Sequence, residues 1–188
     1  MARWEPDSRA RLEQAALVLY AERGFENTTV AEIAARAGLT ERTFFRHFAD
    51  KREVLFWGAA ALEKLLVSAV EAAPESASPI ETITTALEAT GPLFEERHDS
   101  ARQRQRVIDA SSELRERELI KLASLASALA GALRRRGVAD PAATLTAEAG
   151  IAIFRVAFAR WLSDSDSRGL PQHIRESLGE LQTVTSGR

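Results

Sequence analysis

The sequence predicts an all-α protein, and three observations lead to this prediction. Helix-forming alanine, leucine, glutamate and arginine dominate the 188 residues. Alternation of polar and apolar residues with period two, the mark of a half-buried strand, is nearly absent. Capping residues mark the starts and ends of the apolar-periodic segments. We therefore expect about nine helices, divided between a three-helix N-terminal head (residues 1–50) and a larger C-terminal helical bundle (residues 51–188).

Four helix starts carry a recognisable capping signal. Two of them match the capping box, in which a side chain at each end of the first turn satisfies an unpaired amide. The other two place a capping side chain before a proline, which suits the first helical position. The four signals are Thr29 with Glu32, Asp50 with Glu53, Ser78 with Pro79, and Asp140 with Pro141.

Glycines mark the expected helix ends, because glycine adopts the left-handed conformation that closes many helices. These glycines are Gly24, Gly38, Gly137 and Gly169. The predicted helices span residues 8–23, 30–37, 41–48, 51–73, 79–96, 100–110, 113–136, 141–164 and 171–183.

Composition narrows the class of protein. Apolar residues make up 45% of the chain and charged residues 28%, as in a soluble globular protein with a sizeable core. The chain has no cysteine, which excludes disulfides and thiolate metal sites and fits a reducing cytoplasm. We expect no secretory signal after Met1 and no membrane span. The longest nearly apolar stretch, 149–162, contains two arginines and is shorter than the roughly 20 residues a bilayer requires.

The third helix has two opposite faces. At about 100° per residue, Phe44 and Phe48 share one face, and Arg42 and Arg46 lie on the face opposite. Thr43 and His47 occupy one flank, and Glu41 and Phe45 occupy the other. Two phenylalanines are therefore expected to anchor this helix while a basic ridge faces outward. A helix, a glycine turn at Gly38 and such an anchored helix form the arrangement that enters the DNA major groove.

The segment "GFENTTVAEIAARAGLTERTFFRHFADKREVLF", residues 24–56, resembles the tetracycline-repressor (TetR) family of bacterial transcription regulators. The resemblance rests on the Thr-Thr-Val opening, the Phe-x-His-Phe end of the third helix, and Lys51 at the start of the next helix. It implies a transcriptional regulator, usually a repressor, which binds a palindromic DNA operator as a homodimer in the cytoplasm. It covers about the first 56 residues, beyond which only the number and lengths of the helices agree.

The resemblance also implies roles for individual residues. Base edges would be contacted by Arg42, Thr43, Glu41 and Arg46. The phosphate backbone would be contacted by Thr29, Thr40, Phe45, His47 and Lys51. Phe45 stands where the family commonly has a tyrosine, so it offers the DNA only an apolar surface. Residues 36–52 contain five basic and two acidic side chains, so this region is locally basic although the whole chain has a net charge of −2.

Two other classes of protein remain as alternatives. Glu95 and His98 have the Glu-x-x-His spacing of carboxylate-bridged di-iron bundles, which would make the chain a small helical enzyme or metal bundle. That site needs the element twice, and a second copy is not found. A helical adaptor without DNA binding is the other alternative, against which the segment 24–56 argues. The sequence predicts no cofactor, metal site or catalytic residue.

The larger domain is expected to pair two chains. The segment "AGIAIFRVAFARWL", residues 149–162, is apolar almost all round, which requires burial against its own chain on one side and against another chain on the other. The last helix repeats apolar residues at positions i, i+4 and i+7. These two helices from each chain are predicted to form a four-helix dimer interface containing Ile151, Phe154, Phe158, Trp161, Ile174, Leu178 and Leu181.

The same domain is expected to bind a small, hydrophobic effector. A continuous fourth helix from Lys51 to about Ala73 would be roughly 33 Å long and would transmit the effector's influence to the head. The candidate pocket residues come from the fourth to eighth predicted elements, and each has plain core packing as its alternative. They are Trp57, Leu62, Leu66, Leu87, Phe94, His98 and Val107.

Overall fold

The computed structural model describes residues 8–95, 97–164 and 168–187, and in that part of the chain all the regular secondary structure is helical. The predicted all-α fold is confirmed, and each of the nine predicted segments contains a helix. The first seven residues of the predicted head lie outside the described residues. The helices are α1 (Ser8–Arg23), α2 (Val30–Arg36), α3 (Glu41–His47), a 3₁₀ turn (Glu53–Leu55), α4 (Ala59–Ala72), α5 (Pro79–Glu88), α6 (Gly91–Glu95), α7 (His98–Ala110), α8 (Ser112–Arg135), α9 (Ala142–Ser163) and α10 (Leu170–Ser186).

The chain packs as two compact units. The first combines residues 1–59 with 102–119, and the second combines 60–101 with 120–188. This division by packing differs from the predicted functional boundary at residue 50, because the first unit also takes the end of α7 and the start of α8. The division into a DNA-binding part and a sensing part stays a prediction.

The core of the first unit forms around α1. Leu12, Ala16 and Leu19 are buried on one side of α1, where they meet Ile33 of α2 and Phe44 of α3. Val107 and Ile108 of α7 and Leu114 of α8 complete the same core. The short helices α2 and α3, of seven residues each, are too short to be stable alone and depend on this packing.

The predicted continuous helix from Lys51 to Ala73 is wrong. The chain forms only a 3₁₀ turn at Glu53–Leu55, and α4 begins at Ala59. The physical reason lies in Val54, Leu55 and Phe56, which are consecutive and all buried. Three consecutive α-helical residues span about 200° of the helix surface, so a helix packed on one side cannot bury all three. The predicted rigid connection therefore does not exist as one helix.

The predicted helix 79–96 is divided into α5 and α6. Its start is as expected, because Ser78 and Glu81 form a capping box around Pro79. The regular helix stops at Glu88, shortly before Gly91 and Pro92. Proline lacks an amide donor and its ring clashes with the preceding turn, which explains the interruption.

Two further predicted helix ends differ from the structure. Pro141, rather than Asp140, occupies the position before α9, and the Asp140 carboxylate accepts a hydrogen bond from the Thr144 hydroxyl instead. Gly169 precedes α10 rather than ending a helix. Gly24, Gly38 and Gly137 do follow helices and have positive φ angles, as predicted.

The second unit is built around α9, which packs against α5 and α10. Gly150 allows the close approach to α5, since a β-carbon at this position would lie 2.3 Å from Cγ2 of Ile83. By length and composition α9 could also cross a membrane. Nine of its residues are buried within the chain, among them Ile151, Phe154 and Trp161, as expected for the core helix of a globular protein.

Candidate nucleic-acid interface

The start of α2 and the turn to α3 are held by local hydrogen bonds. The Thr29 hydroxyl accepts from the Glu32 amide, and the Glu32 carboxylate accepts from the Thr29 amide, so the predicted capping box is present. These bonds lower the pKa of the Glu32 carboxyl, with the backbone hydrogen bond from Thr29 as the largest cause. The turn closes through Gly38 at a φ of 65°. This backbone conformation suits glycine, and it sets the angle at which α3 leaves α2.

The anchored face of α3 is as the sequence predicts. Phe44 and Phe48 are buried in the core of the first unit, with ring centroids 5.4 Å apart. The opposite face exposes Arg42 and Arg46. Neither arginine forms an ion pair with any residue in the described ranges. Two guanidinium groups on a firmly packed short helix are therefore available to an external anion or base edge.

The flanks of α3 differ in exposure. His47 is half-buried, and its Nε2 lies 2.8 Å from the Ser8 hydroxyl, which links the end of α3 to the start of α1. Thr40 caps α3, accepting from the Thr43 amide, and the two threonine hydroxyls lie 3.0 Å apart. On the other flank Glu41 and Phe45 are exposed.

Lys51 has a partner that the sequence does not reveal. Its ammonium group donates to the backbone carbonyls of Phe25 and Thr28, at 2.8 and 2.9 Å, and lies 4.2 Å from the centroid of the Phe25 ring. A longer contact of 3.4 Å reaches the carbonyl of Glu26. Lys51 therefore holds the turn between α1 and α2, and a phosphate would have to compete with these carbonyls.

The other basic residues of the 36–52 segment are paired within the first unit. Arg36 lies 3.6 Å from the Glu22 carboxylate. Arg52 binds Asp50 at 2.6 Å, and this hydrogen bond is the largest cause of the lowered pKa of the Asp50 carboxyl. Asp50 also accepts from the Glu53 amide, although the reciprocal bond of the predicted capping box is not formed. Among the described residues, the positive charge of this segment that has no ion-pair partner comes from Arg42 and Arg46.

Four polar contacts of the first unit were missed by the sequence analysis. The Tyr20 hydroxyl donates to the Lys51 carbonyl at 2.7 Å, and the Arg104 Nε donates to the Leu55 carbonyl at 2.7 Å. Arg117 pairs with Glu53, and the Ser111 hydroxyl donates to Glu26. Each contact joins residues 31 to 85 positions apart, so no local sequence pattern signals it. Burial lowers the pKa of the Arg104 guanidinium, opposed by the nearby Glu118 carboxylate.

The predicted effector-pocket residues fall into two separate cores. Val107 is buried in the core of the first unit, and Trp57 packs against that core. Leu66 and Leu87 are fully buried in the core of the second unit, and Leu62 and Phe94 pack against that core. Of the seven candidates, only Trp57 lines either of two surface grooves, both of which lie on the first unit. The alternative of plain core packing therefore describes Leu66, Leu87 and Val107.

Aromatic rings assigned to two different predicted sites meet in the second unit. His98 packs edge-to-face on Trp161, with centroids 4.5 Å apart, and its Nε2 lies 3.2 Å from the Trp161 carbonyl. Phe94 contacts Phe154, Phe158 and Trp161 at centroid distances of 5.4 to 6.2 Å. We call these five residues the aromatic cluster. It joins α6 and α7 to the buried side of α9.

The predicted dimer-interface residues all lie in or against the core of the second unit, and their role in pairing two chains stays a prediction. Ile151, Phe154, Trp161 and Ile174 are buried by their own chain in the core of the second unit. Phe158, Leu178 and Leu181 are partly buried against the same core. All seven residues face the core of the second unit, where α9 packs against α5 and α10.

The outward face of α9 is also apolar. Leu145 is 65% exposed and Val156 is 50% exposed, and Ala152 and Ala159 are exposed between and after them. With half-buried Ala149, these residues lie within about 80° of one another on the helix, opposite the buried face. We call them the α9 outer stripe. The expected two-sided apolar character of α9 is therefore present, and its outer side is formed by the α9 outer stripe.

Within the described residues, no group of three or more His, Asp or Glu side chains is arranged to hold a metal ion. Glu95 is exposed, whereas His98 contacts Trp161. The described part of the chain therefore provides no group of ligands for the di-iron alternative.

A three-helix head with an outward basic face, followed by an all-helical unit, is the architecture of a helix-turn-helix regulator. Residues 13–56 match the family model of bacterial regulatory proteins of the tetR family, and residues 77–186 match the model of the MftR C-terminal domain. The chain belongs to the tetR family.

Individual relatives agree with this assignment. The HTH-type transcriptional regulator TcmR of Streptomyces glaucescens is 37% identical over 82 residues, which cover 44% of this chain. The chain spans only 36% of the length of TcmR.

Two solved structures share the fold over nearly the whole chain. The fatty acid degradation regulator FadR of Bacillus halodurans has a TM-score of 0.60 at 17% identity and covers 93% of this chain and 94% of its own. FadR of Thermus thermophilus, a TetR-family repressor in complex with lauroyl-CoA, has a TM-score of 0.56 at 22% identity and covers 93% of both chains.

Proposed function

We propose that the protein is a sequence-specific DNA-binding transcriptional regulator, a ligand-released repressor that binds a palindromic operator as a cytoplasmic homodimer. The observation that carries the proposal is the outward face of α3, where Arg42 and Arg46 are exposed without ion-pair partners among the described residues. The buried Phe44 and Phe48 hold that helix in place. Family membership and the helix-turn-helix geometry support the same function.

Base reading falls to the outer face of α3. Arginine can donate two parallel hydrogen bonds to guanine, glutamate can accept from the cytosine amine, and a threonine methyl can meet the thymine methyl. Arg42 and Arg46 take the first role, Glu41 the second and Thr43 the third. Because Ala31 of α2 carries no polar side chain, base readout depends chiefly on α3.

Phosphate contacts surround this reading face. Thr29, Thr40 and His47 have polar atoms near the starts of α2 and α3 or the end of α3, where hydroxyl, imidazole and free helix amides can meet phosphate oxygens. Lys51 takes this role only by exchanging one of its backbone carbonyl partners for a phosphate.

The dimer forms through the α9 outer stripe and a second copy of this chain. Leu145 and Val156 are large and exposed, and the alanines between and after them allow a second helix to approach closely. A twofold dimer also matches the proposed palindromic operator, since each copy would present one α3 to a half-site. Half-sites would then lie about one helical turn apart, roughly 34–36 Å.

The effector binds in the second unit and is largely apolar. The aromatic cluster and the surrounding core leave few charged groups to neutralise a polar ligand. Thermus thermophilus FadR, a TetR-family repressor with the same fold, forms a complex with lauroyl-CoA, a molecule with a long apolar part. Since the fourth helix is interrupted after the head, effector binding is not transmitted to the head through a single rigid helix.

The reading role of Arg42 gives the decisive test. Rounds of selection from random duplex DNA should enrich a palindromic motif. Arg42→Ala should weaken binding to that motif by about 1–3 kcal/mol and relax the preference at one position in each half-site. Arg115→Ala removes another exposed arginine of the first unit, on α8, and should leave the motif and affinity unchanged.

Two outcomes would contradict the proposal. An unchanged motif for Arg42→Ala would remove Arg42 from base reading. Failure of the wild-type protein to enrich any motif, even at low salt where phosphate contacts are strongest, would instead favour a helical adaptor without DNA binding.

A further inference from the structure

Phe45 is the exposed aromatic residue of the candidate reading helix. Its side chain is 55% exposed, although it neighbours the fully buried Phe44. A phenyl ring has no hydrogen-bonding atom, so the exposed ring gains no hydrogen bond from water. The exposed ring of Phe45 is therefore able to pack against an apolar group outside the chain.

The ring is held in a defined orientation before any partner binds. It packs edge-to-face against Phe44, with centroids 5.4 Å apart and planes at 82°. Phe44 itself is fixed in the core of the first unit. A contact made by Phe45 therefore requires little loss of side-chain freedom, which favours a specific contact over a loose one.

Phe45 lies beside the basic face of α3. At about 100° per residue it is about 60° around the helix from Arg42, one turn further along. If Arg42 reaches the base edges, the Phe45 ring lies at nearly the same depth in the groove. The polar base edges of the major groove present one apolar group, the C5-methyl of thymine.

We propose that Phe45 is a specificity-determining residue that packs against the C5-methyl group of one thymine in each half-site. This inference rests on the proposed function and changes the role assigned to Phe45 from a backbone contact to a base-reading contact. The thymine would lie within one or two base pairs of the position read by Arg42, because the two side chains are one helical turn apart.

Removal of the methyl group from the DNA tests this directly. In the selected operator, each thymine of the half-site is replaced in turn by deoxyuracil, which lacks only that methyl. Wild-type protein should lose about fourfold in affinity per half-site at one position, the factor expected for one methyl-sized group. Apart from a thymine contacted by the Thr43 methyl, the change at the other thymines should be within twofold, and Phe45→Ala identifies which position Phe45 contacts.

The Phe45→Ala variant tests whether Phe45 is the residue that contacts the thymine methyl. Phe45→Ala should bind the thymine operator more weakly than wild type and should no longer distinguish deoxyuracil at the critical position. Leu93→Ala is the matched control, since Leu93 is a similarly exposed apolar residue of α6. It should retain wild-type discrimination. Circular dichroism should show that both variants keep the native helix content.

Two results would overturn the inference without affecting the proposed function. Wild-type protein could bind every deoxyuracil operator as well as the thymine operator, which would place the ring on a sugar or elsewhere. Alternatively, Phe45→Ala could retain the deoxyuracil penalty, which would assign the methyl contact to another residue such as Thr43. Failure to select any operator would instead overturn the proposed function itself.

Discussion

Tyr20 is the single tyrosine of the chain, and its buried hydroxyl donates to the Lys51 carbonyl. Burial raises the pKa of the Tyr20 phenol well above its ordinary value, and the nearby Asp50 charge adds to this effect. The neutral form is therefore favoured in the folded state. The neutral phenol contributes its full stability below the unfolded-state pKa of about 10. This contribution is lost as the pH rises toward the folded-state pKa of Tyr20.

Replacement of Tyr20 by phenylalanine should separate the hydrogen bond from this pH effect. At pH 8 we expect Tyr20→Phe to lower the free energy of unfolding by about 1 kcal/mol, because the Lys51 carbonyl loses its donor. Above pH 10 the difference should shrink, because ionisation of the tyrosine stabilises the unfolded state of the wild-type protein and the phenylalanine variant has no such group.

Urea unfolding of both proteins at pH 8 and pH 10.5 measures this change. Lysine titration affects both proteins equally, so it cancels in the difference between them. Because the chain has one tyrosine, its ionisation can also be followed by ultraviolet absorbance. A parallel pH dependence of the two proteins would show that Tyr20 titrates normally in the fold.

The two apolar faces of the α9 helix have different surroundings, so substitutions on the two faces should have different effects. The inner face is buried by its own chain, whereas the outer stripe is exposed. We expect Val156→Asp to give a folded monomer, since the charge remains in water when the chains separate. Phe158→Asp should instead lower the stability of the fold by several kcal/mol, because it places an unpaired charge in the aromatic cluster.

Sedimentation velocity and thermal unfolding distinguish the two variants. Leu93→Asp introduces the same charge at an exposed aliphatic position on α6 and should remain dimeric. A dimeric Val156→Asp protein would exclude the α9 outer stripe from the interface. A stable, folded monomer of Phe158→Asp would return the interface to the inner face.

At the scale of the whole molecule, effector binding should disturb the aromatic cluster, because that cluster occupies the part of the second unit where the ligand is proposed to enter. A compound that releases the protein from its operator should change the fluorescence of Trp161, which contacts Phe94, Phe158 and His98. A chemical library can be screened by the anisotropy of a labelled operator, and released samples can then be examined for tryptophan emission.

Two tryptophan variants locate that signal. Trp161→Phe should abolish the fluorescence change, and Trp57→Phe, which alters the core of the first unit, should preserve it. A compound that releases DNA with no change at Trp161 would bind elsewhere. If no compound in a broad library released the operator, the protein would act as a constitutive DNA-binding regulator.

Local sequence patterns were enough to predict the helical class, most helix limits and the two faces of α3. These features depend on interactions between residues a few positions apart: capping bonds at Thr29 and Ser78, and the spacing of Phe44 and Phe48. They are readable because helical periodicity converts sequence spacing directly into direction.

The packing of distant parts of the chain was needed to show which apolar residues face inward and which charged side chains are paired within the chain. The apolar sequence of α9 has two candidate faces, and packing against α5 and α10 selected the one that contains Phe154 and Trp161. Lys51 was expected to bind DNA, yet its ammonium lies on carbonyls that precede it by 23 and 26 residues. Such choices depend on contacts between distant residues, because burial and charge pairing are set by neighbours in space rather than by neighbours along the chain.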